Sequence, residues 1–178
     1  MFNYAKWRMF NHSFIKMVKV KDLLKGKLTQ KELDLVPTSF DVVGSILIFS
    51  DFPKELIKKE KIIANAFLEQ LKNIKTVCKK TGIYSGTYRT PKLKIIGGEK
   101  TKETIHKENG INLKLDVENV YFSTRSGNER LRISKQVKKG EDVLVMFSGC
   151  APFPCVISKN SNPNSIVGVE INPVAHKY

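Results

Sequence analysis

Acidic residues are scarce in this chain: 17 Asp and Glu stand against 31 Lys and Arg, for a formal net charge of +14 over 178 residues. That imbalance rules out a charge-balanced surface and sets up a positive field suited to a polyanion, nucleic acid first of all. A hot or salty habitat is the bland alternative, but it raises Glu alongside Lys, and here Glu does not keep pace. Cysteine is almost missing too. Cys78, Cys150 and Cys155 are odd in number and have no metal-ligand spacing, which argues against a disulfide framework or a bound metal and for a reducing cytoplasm. No apolar run approaches the roughly 18 residues that span a bilayer, and no apolar leader with a cleavage site opens the chain, so no membrane partner is expected. What is present is an ordinary apolar fraction of 41%, enough for the core of one domain or one and a half.

Residues 1–40 read as a basic helical segment with Trp7, Phe10, Phe14 and Ile15 among lysines, suited either to contact RNA or to pack on the next domain. Residues 41–118 read as an α/β domain. Asp41–Phe49 is a buried strand by its run of Val42, Val43, Ile46, Leu47 and Ile48. Asp51 and Pro53 open a helix whose apolar positions Leu56, Ile63, Phe67, Leu71 and Ile74 repeat at helical spacing. Short strands follow at Thr76–Cys78, Lys92–Ile96, Glu103–His106 and Ile111–Leu115, with turns at Gly97-Gly98 and Asn109-Gly110. Residues 119–178 form a third region: a helix over Ser123–Val137, a strand over Asp142–Phe147, a helix opening at Pro152 and a strand over Ile166–Val169.

The turn after Asp142–Phe147 carries the clearest chemical signal. Ser148-Gly149 lets the backbone approach a ligand, and ligands of open α/β sheets bind at such strand ends. Glu170 closes the next strand, at the spacing where an acid accepts from a ribose hydroxyl. The bland reading of Glu170 is a helix cap before Asn172-Pro173.

Four stretches in order carry a more specific signal. They are Tyr88-Arg89 ahead of Gly97-Gly98-Glu99; Thr104-Ile105-His106-Lys107-Glu108-Asn109-Gly110; Val120-Tyr121-Phe122-Ser123 with Arg125, Gly127, Glu129 and Arg130; and Met146-Phe147-Ser148-Gly149 with Pro152-Phe153, followed by Glu170-Ile171-Asn172-Pro173. With these, residues 41–178 resemble the archaeal and eukaryotic tRNA (guanine-N1)-methyltransferases that modify the guanine just 3′ of the anticodon. The resemblance implies an α/β fold: a mixed-sheet central domain followed by the first βαβ portion of a class I, Rossmann-like methyltransferase domain using S-adenosylmethionine. It implies Glu129 as the general base that removes the N1 proton and Arg89 as the cation that stabilises charge on guanine O6. Tyr121, Phe147, Gly149 and Glu170 match positions around the cofactor. Arg125 and Arg130, at the same helix start, are candidate RNA contacts. The implied partner is the anticodon stem-loop region of tRNA, and the expected state is a monomer. His106 reads as structural, and His12 and His176 carry no signal.

The chain also departs from the family's pattern. Val145 replaces an Asp before the Met-Phe pair, Ala151 a glycine and Thr124 a proline, and the first two are expected to lower cofactor affinity. Much of the expected parallel sheet is missing, so the chain reads as truncated within the catalytic domain and inactive as it stands. The alternatives are a wybutosine-pathway tRNA aminocarboxypropyltransferase on the same scaffold and a non-catalytic RNA-binding fragment. The former usually has Gly-Asn soon after Phe-Ser, whereas this chain has Arg125 at that position and its Gly127-Asn128 two residues later.

Overall fold

The structure, a computed structural model, describes residues 20–82 and 86–178. Trp7, Phe10, Phe14 and Ile15 of the expected basic segment lie outside them. Two compact units divide the chain.

The first unit comprises Ile46–Lys80 and Lys94–Lys100 with the described residues up to Asp41. Helical residues 20–24 precede α1, Gln30–Leu35, which is started by a capping box in which Thr29 and Glu32 each satisfy the other's backbone N–H. A four-stranded sheet runs in the order β1 (Phe40–Val43), β2 (Ile46–Phe49), β3 (Thr76–Lys80), β4 (Leu93–Gly98). Strands β2 and β3 are parallel with Ile46 opposite Thr76, and the crossover is a 3-10 turn (Lys54–Lys59) leading into α2 (Glu60–Gln70). Leu56, Ile63 and Phe67 are wholly buried, as the helical spacing requires, and Leu71 and Ile74 stay buried past the helix end. Phe67 meets Phe49 and Phe40 edge-on, with centroids 5.1 and 5.5 Å apart, which favours the ring quadrupoles. Glu60 bridges Lys79 at 2.7 Å and Lys94 at 2.6 Å, tying α2 to β3 and β4.

Two expectations are corrected in this part of the chain. The expected strand Asp41–Phe49 is two strands, because Gly44 turns the chain with φ +55° and a Cβ there would fall 2.2 Å from Thr104 Oγ1. Gly97-Gly98 is the end of β4 rather than a turn. A Cβ on Gly97 would lie 2.6 Å from Ala64 Cβ, and one on Gly98 2.0 Å from the Lys75 carbonyl oxygen, so close approach explains both glycines.

The second unit comprises Val42–Ser45, Thr81–Leu93 and Thr101–Tyr178. Strands β5 (Glu103–Glu108) and β6 (Ile111–Asp116) form the expected antiparallel hairpin, closed by Asn109 and Gly110, both at positive φ. The expected helix Ser123–Val137 is shorter: a 3-10 turn, Thr124–Ser126, leads into α3, Gly127–Ser134. Then β7 (Asp142–Met146), α4 (Pro152–Asn160) and β8 (Ser165–Val169) form a parallel βαβ unit, with Met146 opposite Val169. Pro152 stands at the start of α4, where its missing N–H is harmless. The unit ends in α5, Pro173–Lys177.

Candidate functional site

The turn leaving β7 alternates left-handed residues: Phe147 at φ +56°, Gly149 at +59° and Ala151 at +61°. A non-glycine residue there costs about 1–2 kcal/mol, and two are kept within five residues. Phe147 is moreover 83% exposed, so neither backbone ease nor burial accounts for it. Glu170 binds this turn. Its Oε2 accepts from the Gly149 N–H at 2.6 Å and its Oε1 from the Asn172 N–H at 2.8 Å. The cap of α5 is therefore Asn172, whose Oδ1 accepts from Val174 N, and not Glu170. The Asn172 side chain also donates to the Asn119 carbonyl at 2.8 Å, and the Tyr121 carbonyl oxygen lies 3.6 Å from where a Gly149 Cβ would stand. Three segments thus converge: 119–121, 147–149 and 170–172.

That convergence collects Tyr121, Phe147, Gly149 and Glu170 on one end of the β7–β8 pair. Two exposed aromatic rings, a glycine backbone and a carboxylate suit a nucleoside, the rings for its base and the carboxylate for its ribose diol. Each Glu170 oxygen spends one lone pair on a backbone amide and keeps another for a hydroxyl. The residues present fit the nucleoside part of S-adenosylmethionine.

Helix α3 presents two neighbouring charges in opposite ways, because successive helical residues point about 100° apart. Arg130 faces inward and is 2% exposed. Its Nε donates to Glu108 Oε1 at 2.5 Å, and its Nη2 donates to Glu108 Oε2 at 2.7 Å and to the Ser123 carbonyl at 3.0 Å. The guanidinium also lies 5.0 Å from the Phe122 ring centroid and 5.9 Å from that of Phe153. This corrects its expected role as an RNA contact: the fork is enclosed and occupied within the unit. Removing one partner of such a pair typically costs about 3–5 kcal/mol, since the other is left charged and buried. His106 completes the cluster, with Nε2 3.4 Å from Glu108 Oε2 and Nδ1 accepting from the Gly44 N–H at 3.2 Å. Burial holds its pKa below the ordinary imidazole value, against the opposing pull of Glu108, so it is neutral at pH 7.

Glu129 faces out. Both its oxygens are engaged by Arg132, Oε1 by Nη2 at 2.6 Å and Oε2 by Nε at 2.8 Å. Those hydrogen bonds hold its carboxyl below the ordinary glutamate range. Arg125 is exposed on the 3-10 turn just before α3. Arg89 is exposed on a turn between β3 and β4, at φ +47°, its N–H donating to Gly86 O at 3.2 Å. The sequence reading did not single out three residues that the structure makes prominent: Glu108, Asn172 and Arg132. Glu108 lies within the Thr104–Gly110 stretch, but nothing local marks it as the anchor of an arginine 22 residues away. Arg132 was legible as an i,i+3 partner of Glu129.

Other chemistry is sparse. Burial pushes the Cys150 thiol up to about 11, and Cys155 is also raised, so neither is a ready nucleophile. Among the described residues no group of three or more His, Cys, Asp or Glu is placed to hold a metal, and no helix is long and apolar enough to cross a membrane.

Comparison with known proteins gives two family matches. The TRM5/TYW2 methyltransferase domain matches residues 104–178, and the TYW2 N-terminal domain matches residues 20–101. A curated relative is the tRNA (guanine(37)-N(1))-methyltransferase Trm5b of Pyrococcus abyssi, 46% identical over 80% of this chain and 42% of its own length. Among solved structures, an aTrm5 in complex with tRNALeu superposes with a TM-score of 0.77 at 32% identity, over 89% of this chain and 47% of that one. The Methanocaldococcus jannaschii TYW2 in complex with AdoMet has a TM-score of 0.53 at 25% identity, over 79% of this chain and 48% of that one. The chain spans about half the length of the curated relatives it matches.

Proposed function

Because the chain belongs to the TRM5/TYW2 methyltransferase family, we propose that it supplies the RNA-side unit and the cofactor-side half-site of a tRNA methyltransferase acting on N1 of the guanine 3′ of the anticodon. The observation that carries this reading is the placement of Glu129. It is an exposed carboxylate in the first turn of a helix that buried Arg130 fixes, and the same guanidinium holds the Ser123 carbonyl two residues from Tyr121. One buried cation therefore sets both the base and the cofactor-side segment.

In this reading Glu129 takes the guanine N1 proton, and Arg89 stabilises the negative charge that then develops on O6. Tyr121, Phe147, Gly149 and Glu170 hold the cofactor. When bound, S-adenosylmethionine supplies an electrophilic methyl group on a positively charged sulfur. Arg125 contacts the RNA backbone near the same helix start, and the partner is the anticodon stem-loop. The work is done in the cytoplasm.

A second reading has its own support, since residues 20–101 match the TYW2 N-terminal domain. It assigns the same scaffold to aminocarboxypropyl transfer. The two readings separate on product. A chimera joining residues 1–178 to the remaining part of the Pyrococcus abyssi relative is incubated with S-adenosylmethionine and a tRNA transcript carrying guanine 3′ of the anticodon, and its nucleosides are resolved by mass spectrometry. The expected product is 1-methylguanosine. Glu129→Gln in that chimera lowers turnover roughly 10²–10⁴-fold with tRNA affinity little changed. Equal losses in turnover and affinity would make Glu129 structural, and an aminocarboxypropyl product on a wybutosine-precursor tRNA would establish the second reading.

A further inference from the structure

We propose that Arg132 is a positioning residue that Glu129 exchanges for RNA: it locks the carboxylate in the free protein and passes to an RNA phosphate in the complex, freeing Glu129 as a base. The inference rests on the reading of Glu129 given above. It begins from a conflict in the geometry. A general base must turn an available lone pair toward the proton it takes, yet both Glu129 oxygens are held by a single guanidinium, Nη2 on one and Nε on the other. Arg132 is also the charged group that acts on Glu129, so while the pair lasts the carboxylate is a weaker base than an ordinary glutamate. Something has to open the pair before it can work.

The pair is built to open cheaply. Its side chains are 50% and 56% exposed, and water and salt screen such exposed pairs so that they contribute little. A phosphate diester is a strong competitor, because a guanidinium fork meets two phosphate oxygens as well as it meets a carboxylate. The chain's +14 charge is what draws such phosphates in. Residues three apart share a helix face, so an RNA that reaches Arg132 also reaches Glu129. Its neighbour Arg130 is excluded from this role by its enclosure against Glu108, Phe122 and Phe153. Proton balance needs no further reactant: a phosphate takes the guanidinium without proton transfer, and the released carboxylate is free to accept one.

The test uses the 178-residue chain and a synthetic anticodon stem-loop RNA with guanine 3′ of the anticodon. The Glu129 side-chain carboxyl is followed by carbon-13 NMR at neutral pH, its signal assigned by Glu129→Gln. On adding the stem-loop, the signal moves to the position it holds in Arg132→Met, where the partner is gone from the start. Arg132→Met also weakens stem-loop binding several-fold and lowers the salt slope of log K by about 1, as loss of one phosphate contact requires. Arg132→Lys, which keeps the charge but loses the fork, restores the salt slope. Since Arg132 is exposed, far-UV circular dichroism of the variants is expected to match the parent. RNA that binds while the Glu129 signal stays put would overturn the exchange, as would Arg132→Met binding with the parent's affinity and slope. A stem-loop that does not bind at all would sink the RNA reading itself, and the exchange with it.

Discussion

Ala151 has a left-handed backbone, φ +61° and ψ +35°, at the very start of α4. Its Cβ meets the strain that a glycine avoids, and the turn keeps the geometry because Ala151 N donates to Ser148 O at 2.9 Å and its carbonyl accepts from Cys155 N at 3.0 Å. Ala151→Gly is therefore expected to stabilise the chain by about 1 kcal/mol, the relieved strain outweighing the added unfolded-state entropy. Thermal denaturation checks it, with a rise of roughly 2–4 °C for a chain of this size; an unchanged or lower midpoint would mean the turn relaxes around alanine without cost. Ala151 was legible in the sequence as a missing glycine, but the strain at Phe147 was not, since nothing in Val145-Met146-Phe147 marks a left-handed aromatic. The same limit governs Glu129 and Arg130. Side by side in the chain, both read as functional charges. What separates them is Glu108, distant in sequence, which takes Arg130 inside and leaves Glu129 outside.

Among the elements, the β5–β6 hairpin was the most legible, because Asn109-Gly110 specifies its turn locally and Leu113 and Leu115 alternate with polar residues to mark the buried face of β6. On β5, by contrast, the aliphatic Ile105 faces out and Thr104 faces in. The parallel β7–α4–β8 unit was legible for the same kind of reason, with Pro152 and the glycine turn marking its corner. The β1–β2 corner and the end of β4 were not. Their glycines are dictated by atoms from elsewhere, Thr104 at Gly44 and Lys75 at Gly98, and no local pattern carries that information. The hairpin also sets a pH dependence. Burial lowers the folded-state pKa of His106 on β5 below its ordinary 6.5, so the unfolded chain binds a proton there more readily. The resulting stability is fully present above about pH 6.5 and is lost as pH falls below it, through the folded-state value. The thermal midpoint is expected to decline from pH 7 toward pH 5.5, before the carboxylates titrate. His106→Gln, lacking the titrating group, flattens the profile in that window though its midpoint is lower throughout. An equally steep decline in the variant would assign the effect to another group.

At the scale of the whole molecule the governing quantity is charge, and it was fully legible from composition. Ion pairs occupy some of the basic side chains: Lys79 and Lys94 on Glu60, Lys102 on Glu118, Arg130 on Glu108 and Arg132 on Glu129. These are five cations on four carboxylates, and pairing removes no charge, so the net +14 is untouched. A polyanion that binds through this excess releases condensed counterions, and affinity then falls linearly in log salt, with a slope of about −0.7 to −0.9 per phosphate contact. Four such contacts, a small footprint for a stem-loop, would already lose more than tenfold between roughly 50 and 200 mM salt. Binding of an anticodon stem-loop to the 178-residue chain, read by fluorescence anisotropy across that range, is expected to show at least this loss. Glu129→Gln removes a negative charge without adding a phosphate contact, so its affinity is equal or slightly higher and its slope is the parent's. A flat salt profile in the parent would mean that the charge excess does not face RNA, and the basic composition would then need a different explanation.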